Sequence, residues 1–275
     1  SLQVCAVTYG WTLLTIDPAW PPGRIATVLE SASARVVFVE RDFKGSDLEM
    51  LRAVAGLHVV NFSVAGVGEA ETGPSCDASS SDLPLVVAAD ASEDCAYYIF
   101  TSGSSGLPKG VRIPQRALVS HGRAAVHEFG LTSSDRVLQF ASPAFDVAYE
   151  EVFPTLLAGG VIVERPEDVT VDLGRFLSFV ERNQITVLNL PSAFFHVLVL
   201  FLSENFARLP GSVRLMVIGS DRPTTWSVER FVVMFPEVRL INAYGPSEAT
   251  ITSISCDVSA VMAERARGPG DIEIG

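Results

Sequence analysis

Short apolar runs rich in valine, isoleucine and leucine alternate with helix-like segments through most of the chain, and this alternation restricts the fold more than any other feature. Val137–Phe140, Val161–Glu164, Ile185–Asn189, Val213–Ile218 and Val238–Ile241 read as strands, and Gln115–Phe129, Asp146–Ala158, Asp172–Asn183, Ser192–Ser203 and Thr225–Phe235 read as helices. A strand that is apolar along its whole length is buried on both faces, which requires helices above and below a parallel sheet. The expected fold class is therefore α/β, with layered, mostly parallel sheets and covering helices. Nearer the N-terminus, the apolar run Val4–Pro18, a helical Arg24–Ala34 and a strand at Arg35–Glu40 read as a βαβ start. Residues 64–95 are rich in Gly, Ala, Ser, Asp and Glu with little periodicity, and are expected to form an exposed connection.

Composition removes several function classes. With 275 residues and 48% hydrophobic content the chain can bury a sizeable core, and its net charge of -12 leaves no basic stripe for nucleic acid or an anionic membrane. Cys5, Cys76, Cys95 and Cys256 are far apart, with neither zinc-ligand spacing nor a disulfide framework. The most apolar run, Phe194–Leu202, contains His196 and is too short to span a bilayer, so a soluble, cytoplasmic protein is expected.

Chemistry concentrates where strands give way to loops. Tyr97–Phe100 empties into Thr101, Ser102, Gly103, Ser104, Ser105, Gly106, Leu107, Pro108 and Lys109. Glycines allow close backbone approach, hydroxyls and amides donate to phosphate oxygens, and the lysine adds a cation, so the loop suits a nucleotide tail. The spacing is not that of a Walker loop, and no nucleophile elbow threads through it. Taken alone, such a cluster also reads as a surface turn, Tyr244-Gly245-Pro246 as a turn after a strand, and Asp146 as the N-cap of the helix running to Ala158.

Taken together, the segments resemble a known superfamily. Thr101–Gly110 resembles the phosphate loop of adenylate-forming (AMP-binding) enzymes. Asn242-Ala243-Tyr244-Gly245-Pro246-Ser247-Glu248 resembles that superfamily's second nucleotide motif. Phe145-Asp146-Val147-Ala148-Tyr149-Glu150-Glu151 resembles the motif that opens the substrate pocket in the amino-acid adenylation domains of nonribosomal peptide synthetases. Gly10–Pro18 is a looser match to an early motif, and Gly219-Ser220-Asp221 stands where the family has Gly-Gly-Glu.

The resemblance implies the large N-terminal domain of an adenylation enzyme, and ATP-dependent activation of an amino-acid carboxylate as aminoacyl-AMP with release of pyrophosphate. Thr101, Ser102, Gly103, Ser104, Ser105, Gly106 and Lys109 would wrap the phosphates. Gly219, Ser220, Asp221, Asn242, Ala243, Tyr244, Gly245, Ser247 and Glu248 would line the nucleotide, with Tyr244 stacking on adenine and Glu248 holding Mg2+. Thr101, Lys109 and Glu248 are the implied catalytic residues. Carrying the family's pocket positions over gives Asp146, Val147, Glu150, Asn189, Met216, Ile218, Ala243, Ile251 and Thr252.

Asp146 favours an amino acid, because a carboxylate on the pocket wall can bind an α-ammonium that fatty and aryl acids lack. If Glu150 is buried, it points to a cationic or strongly donating side chain such as that of ornithine or lysine; if it faces solvent, the remaining apolar wall favours a small aliphatic one. His121, His127 and His196 read as structural, since a carboxylate already ionised needs no base.

Family members extend further at both ends, so residues 1–275 are expected to form a partial core that lacks the small C-terminal subdomain. The implied partners are an amino-acid substrate, that subdomain, and a carrier-protein domain bearing phosphopantetheine, whose thiol receives the acyl group. Alternatives are a non-catalytic remnant or nucleotide-binding scaffold, and an acyl- or aryl-CoA ligase.

Overall fold

A computed structural model describes residues 10–40, 45–62, 94–102 and 108–265. The chain forms two compact units, Ser1–Gln115 and Arg116–Gly275. The expected connection at 64–95 lies almost wholly outside the described residues, as do the first residues of the expected βαβ start.

Unit 1 contains two small sheets. β1 (Leu13–Leu14) runs parallel to β4 (Cys95–Ser102), which pairs antiparallel with β5 (Pro108–Pro114). Thus the two arms of the glycine-rich loop form a hairpin rather than a parallel crossover. β2 (Val36–Glu40) and β3 (His58–Phe62) form a separate parallel pair. Helices α1 (Pro22–Ser31) and α2 (Gly45–Ala53) accompany that pair, and Ile25, Leu29, Val39 and Leu51 form their common core. Proline at the first position of α1 is favourable, because the missing N–H would have no helical partner there.

Unit 2 is a six-stranded sheet in the order β11-β10-β9-β8-β6-β7. Its strands are β6 (Arg136–Gln139), β7 (Val161–Glu164), β8 (Val187–Pro191), β9 (Leu215–Gly219), β10 (Arg239–Tyr244) and β11 (Ile254–Asp257). All neighbours are parallel except β10 and β11. The helices are α3 (Gln115–Glu128), α4 (Val147–Leu157), α5 (Leu173–Arg182), α6 (Ser192–Glu204), α7 (Thr225–Met234) and α8 (Val258–Arg265). Side-chain caps set the starts of two helices: Asp172 accepts from the Arg175 amide at 2.8 Å, and Thr224 from the Ser227 amide at 3.3 Å.

The strand period divides the core in two. Leu188, Leu190, Met216, Ile218 and Leu240 pack with Phe195, Leu198 and Phe231 of α6 and α7. Val187, Leu215, Val217, Ile241 and Ala243 point to the other face, toward Ala125 and Phe129 at the end of α3. Gly122 of α3 is tightly apposed to α4, since a Cβ there would lie 2.8 Å from Leu157 Cδ1.

The chain leaves β6 for β7 in one direction and then returns past β6 to build β8, β9 and β10 on its other side. Right-handed crossovers consequently put α4 on the opposite face from α6 and α7. Strand order reverses between β6 and β8, and open α/β sheets bind ligands in the crevice at such a point.

Candidate functional site

α4 begins where β6 ends, beside that crevice. Its preceding residue, Asp146, has helical backbone angles (φ -66, ψ -25) and makes no capping bond with its side chain. The helix reaches this carboxylate only through the nearby Val147 amide, not through a capping bond. Burial pushes it above the usual carboxylate range; the Ser247 side chain beside it acts in the opposite direction, and the Glu150 charge adds to the rise. The pocket motif and the second nucleotide motif thus meet at Asp146 and Ser247.

Glu150, one helical turn further along, is 3% exposed. It does not face solvent, and the condition for the aliphatic expectation is not met. Its Oε2 accepts from Asn189 Nδ2 at 2.9 Å, so the structure brings together two predicted pocket residues from α4 and β8. Its Oε1 lies 3.1 Å from His121 Nε2, off the line of a hydrogen bond, and neither atom has a hydrogen-bond partner among the described residues. His121 reaches this site from α3. The sequence reading treats it as structural because an ionised carboxylate needs no base, and only the packing of α3 on α4 brings it to Glu150.

Glu151 is buried on a different side. Both of its oxygens lie near the Ala141 amide, at 3.1 and 3.2 Å, and burial pushes its carboxyl well above the usual range.

Met216 and Ile218 do not join Asp146, Glu150 and Asn189. Both are fully buried in the core formed with α6 and α7, on the face opposite Asn189. In the parallel register Asn189 stands beside Val217, and Pro191 beside Gly219. Alternation along β9 therefore turns Val217 and Gly219, rather than Met216 and Ile218, toward the Glu150 side. Counting back from Gly219 without the strand period placed these two positions one residue out of phase.

Ala243, on β10, shares the face of Val217. A Cβ at Gly219 would lie 2.8 Å from the Ala243 carbonyl oxygen, so this edge requires glycine. Asn242 points the other way and lines a small apolar cavity with Val228, Cys256 and Val258. Ser192, at the start of α6, is positioned to donate to the Gly219 carbonyl (3.0 Å) and the Asp221 carbonyl (2.6 Å), anchoring the loop after β9. Ser220 has φ 71, so the position where the family carries glycine keeps a left-handed backbone with serine in place.

The loop after β10 is equally constrained. A Cβ on Gly245 would lie 1.9 Å from the Ile251 carbonyl oxygen. The Ser253 amide donates to the Tyr244 carbonyl at 2.9 Å, and Thr250 and Ile251 both take φ 68, an unusual conformation for β-branched residues. This folded-back loop buries Ile251, half-buries Thr252, and leaves the Tyr244 ring 63% exposed. Val147 is half-buried, and Ser247 and Glu248 open the short 3-10 turn Ser247–Ala249.

In unit 1, Thr101 stands opposite Lys109 across the hairpin, its hydroxyl 3.5 Å from the Lys109 carbonyl oxygen, and Ser102 stands opposite Pro108. Gly103, Ser104, Ser105 and Gly106 lie outside the described residues.

Among the described residues no group of three or more His, Cys, Asp or Glu side chains could hold a metal ion. The exposed Glu248 carboxylate is a hard oxygen ligand of the kind that would fit an Mg2+ ion shared with phosphate oxygens. No helix among the described residues is long and apolar enough to cross a membrane.

Comparison with known proteins agrees with this architecture. The chain is 36% identical over 263 residues to isonitrile lipopeptide synthase of Streptomyces coeruleorubidus, covering 94% of this chain and 16% of that protein. It is 31% identical over 248 residues to surfactin synthase subunit 2 of Bacillus subtilis, covering 90% and 6% respectively. The chain thus spans a small part of these relatives. A crystal structure of the nonribosomal peptide synthetase FmoA3 superimposes with a TM-score of 0.74 at 24% identity, covering 92% of this chain and 25% of that one. The N-terminal subdomain of Klebsiella oxytoca NpsA gives 0.67 at 21% identity, covering 94% and 60%. Residues 3–271 match the AMP-binding enzyme family, and the chain belongs to that family.

Proposed function

We propose that this chain is the core of an amino-acid adenylation domain within a longer, cytoplasmic synthetase. In the reaction, a carboxylate oxygen of the amino acid bonds to the α-phosphorus of ATP, the bond to the bridging oxygen breaks, and pyrophosphate leaves. The acyl group then passes to the phosphopantetheine thiol of a carrier-protein domain. Asp146 would bind the α-ammonium. Tyr244 would stack on adenine, Thr101 and Lys109 would hold the phosphates with the loop between them, and Glu248 would hold Mg2+, which neutralises phosphate charge when bound. Val217 and Gly219 replace Met216 and Ile218 as proposed pocket positions.

The observation that carries this reading is the Asp146 carboxylate, half-buried, making no side-chain capping bond to the helix, and placed beside Ser247 of the nucleotide motif. An amine-bearing substrate supplies the charge such a group lacks, whereas a fatty or aryl acid leaves it unpaired. Support also comes from the relatives, which are peptide synthetases by name, and from FmoA3, whose structure in an α-methyl-L-serine-AMP bound form matches this chain with a TM-score of 0.73 at 25% identity.

The test is equilibrium binding of non-hydrolysable aminoacyl-adenylate analogues, with aryl and fatty acyl analogues as controls. Aminoacyl forms should bind selectively, and Asp146→Ala should weaken them by about 10- to 100-fold. Equal or tighter binding of the aryl or fatty forms overturns the reading.

A further inference from the structure

We propose that the pocket selects an amino acid bearing a second ammonium on its side chain, received by Glu150, with His121 and Asn189 as the residues that set that carboxylate in place. The inference rests on the adenylation reading above and concerns which substrate the same site takes.

Three observations carry it. First, Glu150 is buried, and its Oε1 spends no hydrogen bond on the described protein even though Oε2 is fixed by Asn189. A carboxylate enclosed in this way, with an acceptor unused, has its missing partner supplied from outside the chain.

Second, the charges around it do not balance from within. Asp146 precedes α4 and Glu150 and Glu151 lie on it, and among the described residues neither Asp146 nor Glu150 forms an ion pair with lysine or arginine. The arginines of the sheet are engaged elsewhere: Arg165 with the Phe140 carbonyl and ring, Arg214 with Asp135, and Arg239 with Asp257. The imidazole of His121 stands 3.1 Å away but off the hydrogen-bonding line, which braces the carboxylate without satisfying it.

Third, the spacing suits a diamine. Asp146 and Glu150 are four residues apart at one face of α4, which separates their Cβ atoms by about 5–6 Å. A stem of about four or five carbon atoms, as in ornithine or lysine, spans that interval with an ammonium at each end. Val217 and Ala243, buried on the same face of the sheet as Asn189, make that side apolar, as a methylene stem requires.

The deciding experiment compares ornithyl- and lysyl-sulfamoyl adenosine with their norvalyl and norleucyl counterparts, which keep the stem and lose the charge. Binding is measured by calorimetry on chain whose fold is checked by circular dichroism. The expected result is at least about tenfold tighter binding of an ammonium-bearing form. Glu150→Gln should abolish that preference while norvalyl or norleucyl binding persists, and His121→Gln should reduce it. Equal or tighter binding of the uncharged forms overturns this inference and leaves amino-acid adenylation standing. Binding of aryl or fatty acyl analogues alone, or of none by a folded chain, overturns both. A Glu150→Gln protein that is folded and keeps the full preference removes the assigned role of Glu150.

Discussion

At the amino ends of the parallel strands in unit 2, Asp135 is surrounded by donors: Arg214 Nε and Nη2 each at 2.7 Å, the Thr186 hydroxyl at 2.7 Å, and the Thr132 amide at 2.8 Å. At the carboxyl ends, neither Asp146 nor Glu150 pairs with a lysine or arginine among the described residues, Glu150 having only the His121 imidazole at 3.1 Å, and Ser220, Thr250 and Ile251 hold left-handed backbones. The same sheet thus has a closed end, where every demand of a buried carboxylate is met, and an open end, where demands are left over. Burial acts on both Asp135 and Asp146, yet donors hold Asp135 at about 2 while Asp146 is raised. The contrast separates the part of the molecule that holds the fold from the part proposed to bind the substrate.

The hardest blow to the open end is at Gly245. Gly245→Ala places a methyl group against the Ile251 carbonyl and forces the loop after β10 apart. It should weaken adenylate-analogue binding by more than about 100-fold, while the amides of β8 and β9 keep their hydrogen-exchange protection. Near-normal binding would show that the loop can open without consequence for the site.

The closed end predicts a stability effect with a definite sign in pH. The Asp135 carboxyl lies at about 2 when folded against an ordinary 3.8, so its contribution is present above the ordinary value and is lost as pH falls through about 2. It amounts to about 2 kcal/mol at neutral pH, and Asp135→Asn should remove it and flatten the acid limb of a urea-unfolding profile. Glu151 runs the opposite way. Its raised carboxyl means that stability declines as pH rises above the ordinary 4.5, so Glu151→Gln should make the protein more stable near neutrality. Parallel pH profiles for the two variants would erase the distinction between a donor-saturated carboxylate and a desolvated one.

The smallest effect belongs to Ser220. Replacing it with glycine should stabilise unit 2 by about 0.5–1 kcal/mol, because the left-handed backbone no longer carries a Cβ. No gain, or a loss, would show that the serine side chain compensates for its conformation.

Most of the sheet in unit 2 could be read from the sequence because its strands are continuous apolar runs, and Val161–Glu164 coincides with β7. Asp146 and Glu150 became candidates for a different reason: one motif carries both, four residues apart at the start of α4. The antiparallel edge strand β11 escaped notice since Ile254–Asp257 is short and half polar. The hairpin of β4 and β5 also departs from the parallel expectation, as periodicity does not encode strand direction. Met216 and Ile218 were misplaced by counting along the chain instead of across a face. His121 was beyond reach in principle, as its contact with Glu150 exists only once α3 lies against α4.

The Gly245–Ile251 contact has a practical corollary for anyone wishing to retune this protein. The backbone of Gly245 is wedged directly against that of Ile251, a proposed pocket position, and the Ser253 amide latches the same loop shut on Tyr244. A graft that exchanges Ile251 and Thr252 alone would import side chains onto a backbone shaped for others. The transferable cassette is the whole run from Tyr244 to Ser253, moved as one piece.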